Sequence, residues 1–139
     1  MEINSQKTGK LSGIRILLVE DDFASRTLLE KVLVYHGAAV ASFDSGEGAV
    51  AYVLEGNRVD VAVLDIRLPH MDGYAVFNKL KEVLPTVTVF AQTAYVYSNE
   101  AETVVALGFD GYYSKPIDFN KLIDEIVSIK GRIATPDRE

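Results

Sequence analysis

The sequence predicts an α/β protein, a doubly wound five-stranded parallel sheet in the order 2-1-3-4-5 with helices on both faces. Three observations lead there. Short apolar runs rich in Val and Ile fall near residues 14–19, 38–43, 59–64, 86–91 and 110–114. The segments between them carry apolar residues at helical spacing, so strands and helices alternate as in βαβ units. Finally, the runs at 14–19, 59–64 and 86–91 are nearly continuous in apolar residues, which marks central strands covered on both faces. The other two runs hold more polar or aromatic residues and belong at the edges.

Each helix has its own start and stop signals. The first begins near Asp22, places Leu28, Leu29, Val32 and Leu33 on one face, and stops at Gly37. His36, in its last turn, is explained by the negative end of the helix dipole. The second follows Ser45 as N-cap, carries Ala49, Val50, Val53 and Leu54, and ends at Gly56. Its Gly46-Glu47-Gly48 lacks the full dinucleotide or P-loop pattern and reads as a turn and helix start. The third follows Asp72, carries Val76, Leu80 and Val83, and ends before Pro85. The fourth is capped by Ser98, sets Glu100 and Glu102 in its positive first turn, and carries Val104, Val105 and Leu107 up to Gly108. In the fifth, Asp118 is the N-cap, Ile117 and Leu122 form a hydrophobic staple, and Ile126 and Ile129 continue the buried stripe to Gly131.

At 139 residues the chain is expected to be one domain. Residues 1–12 read as a flexible lead-in, 13–131 as the domain and 132–139 as a tail. The 48% apolar content is ample for one core. Acidic residues outnumber basic ones by 20 to 14, for a formal charge of -6, which argues against binding a nucleic-acid backbone. With no cysteine, disulfides and thiolate metal sites are excluded. No apolar segment approaches the roughly 20 residues that span a bilayer, so no membrane contact is expected. Met1 to Lys10 lacks the apolar stretch of a signal peptide, and the cytoplasm is the default expectation.

Parallel strands deliver their C-terminal ends to one edge of the sheet, where open α/β sheets place ligands. The first central run delivers Glu20, Asp21 and Asp22 there, the second Asp65, the third Gln92, Thr93 and Ala94, and the edge stretch Tyr112-Tyr113-Ser114 delivers Lys115-Pro116. Three carboxylates drawn together repel, at about 4 kcal/mol per pair for a separation near 4 Å and an effective dielectric near 20. They call for a cation or a raised pKa. Oxygen-only ligands favour Mg²⁺ or Mn²⁺ over zinc. Lys115, the Thr93 hydroxyl and the Ala94 backbone N–H could hold the oxygens of a phosphoryl group on Asp65. Asp22 and Asp72 read as helix caps, and His70 as a solvated loop residue.

These segments together resemble the receiver domain of two-component response regulators. They are Val19-Glu20-Asp21-Asp22, Leu64-Asp65-Ile66-Arg67-Leu68-Pro69 with Met71-Asp72-Gly73, Thr93-Ala94, and Tyr112-Tyr113-Ser114-Lys115-Pro116. The resemblance spans about residues 13 to 130 and implies a flavodoxin-like receiver fold. It implies that Asp65 accepts a phosphoryl group from a phosphohistidine on a histidine kinase or histidine phosphotransfer protein, with small donors such as acetyl phosphate also serving. By the same match, Asp21 and Asp65 ligate Mg²⁺ directly, Glu20 acts mostly through water, and the Arg67 backbone carbonyl completes the site. Lys115 pairs with the phosphoryl oxygens, with a cis bond to Pro116. Thr93 and the aromatic Tyr112 act as switch residues. The fourth helix, fifth strand and fifth helix form the output surface for an unknown downstream protein.

The resemblance also implies that Arg67 and Tyr95, two residues after Asp65 and Thr93, restrict water access and lengthen the life of a phospho-form. Tyr95, Val96 and Tyr97 read either as a partner-binding patch or as local packing. The lead-in and the Thr93-Ala94-Tyr95 and Ser114-Lys115-Pro116-Ile117 segments resemble receivers of hybrid histidine kinases, an expectation favoured over a single-domain regulator. Such a domain is not an enzyme in the usual sense, since it catalyses only its own phosphorylation and dephosphorylation. Two alternatives share the fold: an aspartate-nucleophile phosphohydrolase, which usually needs a second acid where Arg67 stands, and a phosphorylation-independent binding module.

Overall fold

The computed structural model describes residues 9–94 and 100–133. Its elements alternate without exception: β1 Arg15–Val19, α1 Phe23–Tyr35, β2 Ala39–Phe43, α2 Gly46–Leu54, β3 Val61–Asp65, α3 Gly73–Val83, β4 Thr88–Thr93, α4 Glu100–Leu107, β5 Gly111–Ser114 and α5 Phe119–Lys130. The strands form one parallel sheet in the order β2-β1-β3-β4-β5. The expected order and division into central and edge strands therefore hold. β3, in the middle, is buried at every residue, as its unbroken Val-Ala-Val-Leu run requires.

The sheet separates two apolar layers. On one side Val19, Leu64 and Val89 pack with Ala49, Val76 and Val104 of α2, α3 and α4. On the other, Leu18, Val63 and Phe90 pack with Leu29 and Leu33 of α1 and Ile126 of α5. The caps are where the sequence puts them. Asp22, Ser45, Asp72 and Asp118 each accept a backbone N–H three residues on, from Ser25, Gly48, Ala75 and Lys121. The expected Ser98 cap of α4 lies outside the described residues. His36 caps α1 through its backbone N–H, its ring edge-on to Tyr35.

The helix faces are narrower than expected. Leu28, Leu54, Val83, Val105 and Leu107 were expected to join the buried stripes, and all five are exposed. Neighbours such as Leu28 and Leu29 point about 100° apart around a helix, so a helix lying on a flat sheet buries one of each pair and shows the other.

The lead-in also differs from expectation. Leu11 is fully buried in the α1/α5 layer. Its backbone N–H donates to the His36 carbonyl at 2.8 Å. At Gly9 an added Cβ would lie 2.1 Å from that carbonyl oxygen. Thus residues 9–12 are folded against α1, because a single Leu in a polar stretch contributes about 1.5–3 kcal/mol when fully buried. The ends of the expected lead-in and tail, residues 1–8 and 134–139, lie outside the described residues.

At the β5 edge the Tyr113 hydroxyl donates to Glu125 of α5. Burial foremost, then the bond to Glu125 and its charge, push the phenol well above its ordinary range. A folded-state value raised above the unfolded one gives stability that is complete below pH about 10 and is lost as pH rises beyond it. Tyr113→Phe is therefore expected to cost about 1 kcal/mol at neutral pH and to show a shallower alkaline decline. Urea unfolding at a series of pH values checks both.

Candidate functional site

The site forms at the C-terminal edge of β1, β3, β4 and β5. Parallel pairing of Val19 with Leu64 puts Glu20 and Asp21 directly beside Asp65. Pairing of Asp65 with Gln92 brings Thr93 to the same edge. Ser114 opposite Thr93, with the Lys115 N–H donating to the Thr93 carbonyl at 2.9 Å, adds Lys115. The turn after β3 closes tightly. A Cβ on Gly73 would meet the Asp65 carbonyl oxygen at 2.6 Å, so only glycine lets α3 start this close to the acidic strand end.

Glu20, Asp21 and Asp65 each offer an oxygen, and these atoms lie within 4.8 Å of one another. Glu20 and Asp65 are buried, whereas Asp21 is exposed. Lys115 Nζ reaches Asp65 Oδ2 at 2.9 Å and Glu20 Oε1 at 2.6 Å. The second contact is a charge contact only, because Glu20 Oε1 has no aligned hydrogen-bond donor. The remaining carboxylate oxygens take backbone donors: Asp22 N–H to Glu20 Oε2 and Arg67 N–H to Asp65 Oδ1, both at 2.9 Å. Arg26 braces the strand end from α1 by donating to the Glu20 carbonyl at 2.8 Å.

The electrostatics follow from burial. Burial raises the Glu20 carboxyl above its ordinary value, the Asp65 charge adds to this, and the Lys115 and Asp22 contacts oppose it. Burial alone would lower the Lys115 ammonium, but its contacts with Glu20 and Asp65 outweigh that and raise it. One ammonium thus pairs with two of the three clustered carboxylates. The excess of carboxylates over ammonium and an all-oxygen donor set suit a hard divalent cation.

Other expected residues gather around this pocket. Thr93 is buried and Ala94 exposed at the end of β4. The bond between Lys115 and Pro116 is cis. Tyr112, half-buried, packs against the α2–α4 layer. Its hydroxyl is raised by burial and then by the nearby Glu100 charge, with Arg67 opposing. His70 is exposed, with φ of 66°. Tyr95, Val96 and Tyr97 lie outside the described residues. Gln92, which the sequence delivers to this edge with Thr93, is buried beside Asp65, and its amide nitrogen has no partner among the described residues. One contact was not legible: Glu100, from sequence only a first-turn acid, reaches back to Arg67 and Tyr74. It has no local signal, since it depends on partners from other elements.

Residues 16–127 match the model of the family described as the response regulator receiver domain. Over 138 residues the chain is 34% identical to hybrid signal transduction histidine kinase L of Dictyostelium discoideum, covering 94% of this chain and 8% of the kinase. Over 128 residues it is 32% identical to transcriptional regulatory protein TcrA of Mycobacterium tuberculosis, covering 92% of this chain and 50% of TcrA. A CheY-like response regulator receiver domain protein from Methanospirillum hungatei superposes with a TM-score of 0.78 at 24% identity, over 87% of this chain and 98% of that one. That similarity supports the fold.

Asp21 is the exposed member of the carboxylate cluster. Mg²⁺ is expected to raise the thermal midpoint of the wild type; Asp21→Asn is expected to raise that of the metal-free protein by relieving repulsion, and to respond no further to Mg²⁺. Thermal unfolding with Mg²⁺ or a chelator measures both.

Proposed function

The chain belongs to the response regulator receiver domain family, and from that premise we propose that Asp65 is the phosphoacceptor of a phosphorelay. The observation that supports this most directly is the Lys115 ammonium 2.9 Å from the Asp65 carboxylate, inside the acidic cluster. An Asp65 oxygen attacks the phosphorus of a phosphohistidine on a histidine kinase or histidine phosphotransfer protein. The P–N bond breaks, the imidazole leaves with its electron pair, and an acyl phosphate forms on Asp65.

Asp21, Asp65 and the Arg67 carbonyl would hold Mg²⁺ (or Mn²⁺), with Glu20 acting through water. The ion's contribution is to neutralise charge on the transferring phosphoryl group. Lys115 moves from pairing two carboxylates to pairing phosphoryl oxygens, and the Thr93 hydroxyl and Ala94 N–H supply neutral donors. These donors stand at or just past the strand ends, so short side-chain movements bring them to the phosphoryl group.

Movement of Thr93 toward the phosphoryl group leaves room for the Tyr112 ring to turn inward. The α4–β5–α5 surface then shifts between two populations, biased by one new anionic group, and a downstream protein reads it. Such a module acts on itself and has no separate substrate to turn over. It works in the cytoplasm. With a net charge of -6, the domain itself is not suited to nucleic acid or anionic membrane. Among the described residues no helix is long and apolar enough to cross a membrane. The 94% match of this chain to 8% of a hybrid kinase fits a receiver that is one part of a larger relay protein. A phosphohydrolase reading loses ground at Arg67, which pairs with Glu100 where that chemistry wants a second acid.

Incubation with Mg²⁺ and acetyl phosphate is expected to add one phosphoryl group to the wild type and none to Asp65→Asn, as read by intact mass. An equal gain in both proteins refutes the assignment. Replacing Arg67 and Tyr95 together by glycine is expected to shorten the half-life of the phospho-form about tenfold or more, an effect near 1.4 kcal/mol on the hydrolysis barrier. Phosphate release after removal of the donor measures it.

A further inference from the structure

Glu100 begins α4 and turns its side chain inward, where 9% of it stays accessible. The Tyr74 hydroxyl donates to its Oε2 at 3.3 Å, and the Arg67 guanidinium lies 3.4 Å from the same oxygen. The other oxygen, Oε1, is buried with no hydrogen-bond partner among the described residues. A buried carboxylate satisfied on one side only depends heavily on its cation.

Arg67 is placed differently. Its side chain is 55% accessible. It lines a 530 Å³ surface depression together with Asp21, Asp72 and Tyr74, on the side where the acidic cluster opens. Its backbone N–H is bonded to Asp65 itself. The guanidinium is therefore rooted next to the phosphoacceptor, in the turn after β3, while it is engaged by a carboxylate on α4.

We propose that Glu100 is a positioning residue that parks Arg67 away from Asp65 in the unphosphorylated protein, and that a phosphoryl group on Asp65 draws Arg67 across and frees the first turn of α4. The proposal rests on Asp65 being the phosphoacceptor. A phosphoryl group adds a charge of about -1.5 to -2 and accepts two parallel guanidinium bonds. Against it Glu100 offers one oxygen at 3.4 Å. Once Arg67 leaves, Glu100 is a buried carboxylate without its cation, and the helix turn that carries it must open toward water. Tyr112 lies in the field of both charges, so exchange of this pair also alters the surroundings of the aromatic residue. The device needs a charged residue at position 100, which the movement of Thr93 does not.

The test is a double-mutant cycle on affinity for beryllofluoride, a phosphoryl mimic, in the presence of Mg²⁺, with wild type, Glu100→Gln, Arg67→Gln and the double variant. Amide hydrogen exchange of residues 101–103 is followed in each. Glu100→Gln is expected to bind the mimic about threefold tighter, the scale of a half-exposed ion pair. That gain is expected to vanish when Arg67 is already Gln. The mimic is expected to speed exchange in the first turn of α4 in the wild type and to have no such effect in Glu100→Gln. An equal gain with and without Arg67 means plain charge repulsion and overturns the proposal, as does unchanged or weaker binding by Glu100→Gln. If wild type binds no beryllofluoride with Mg²⁺, the phosphoacceptor reading itself has failed. Should Glu100→Gln not fold, Glu100→Asp, which keeps the charge but shortens the reach to Arg67, takes its place: tighter mimic binding that vanishes when Arg67 is Gln supports the proposal, and unchanged or weaker binding overturns it.

Discussion

Two buried carboxylates held by one ammonium are the constraint around which this molecule is arranged. Glu20 and Asp65 sit at the ends of adjacent central strands, and Lys115 joins them from the far edge of the sheet. Removing such charges from water costs several kcal/mol each unless they are paired and hydrogen-bonded. The chain answers with backbone donors from Asp22 and Arg67, a brace from Arg26, and a glycine where α3 must approach closely. Even so, negative charge remains in excess, and one Glu20 oxygen lacks an aligned donor. The same imbalance that burdens folding is what would suit the pocket to the cation and phosphoryl group proposed for it.

The hydrophobic layers explain why that pocket stays in register. β3 is buried at every residue, so a slip by one position would swap its side chains between the two apolar layers and carry Asp65 away from the groups at the strand ends. The two faces of the sheet are filled by different helices, α2–α4 on one side and α1 with α5 on the other. The stiff sheet carries the chemistry. Val104, the single buried apolar residue of α4, anchors that helix more lightly than the four of α5 anchor theirs. It is therefore the element on which a local charge change acts with least resistance. The Glu100 contact with Arg67 lies at the start of this lightly held helix.

Much of the architecture was legible because it follows from periodicity. Continuous Val/Ile/Leu runs name the central strands, polar interruptions name the edges, and Asp22, Ser45, Asp72 and Asp118 cap as short acceptors do. The site was legible for a related reason: functional groups at strand ends need no knowledge of packing to be brought to one edge. What misled was adjacency. Leu28, Leu54, Val83, Val105 and Leu107 are apolar yet exposed, since a helix on a sheet buries a narrow stripe. Leu11 stands alone among polar residues and gives no periodic signal, yet it fills the space between α1 and α5.

By itself the sequence determined which residues form strands, how those strands are ordered, and that Glu20, Asp21, Asp65, Thr93 and Lys115 share one edge. These features depend on local pattern and on the few ways a chain of alternating elements can wind. Only the tertiary structure decided how the charges are matched. It set Lys115 between Glu20 and Asp65, left Asp21 in water, buried Gln92 without a partner for its amide, and engaged Arg67 with Glu100. Such pairings join residues far apart in the chain, and their distances depend on how helices settle on the sheet, which no local pattern encodes.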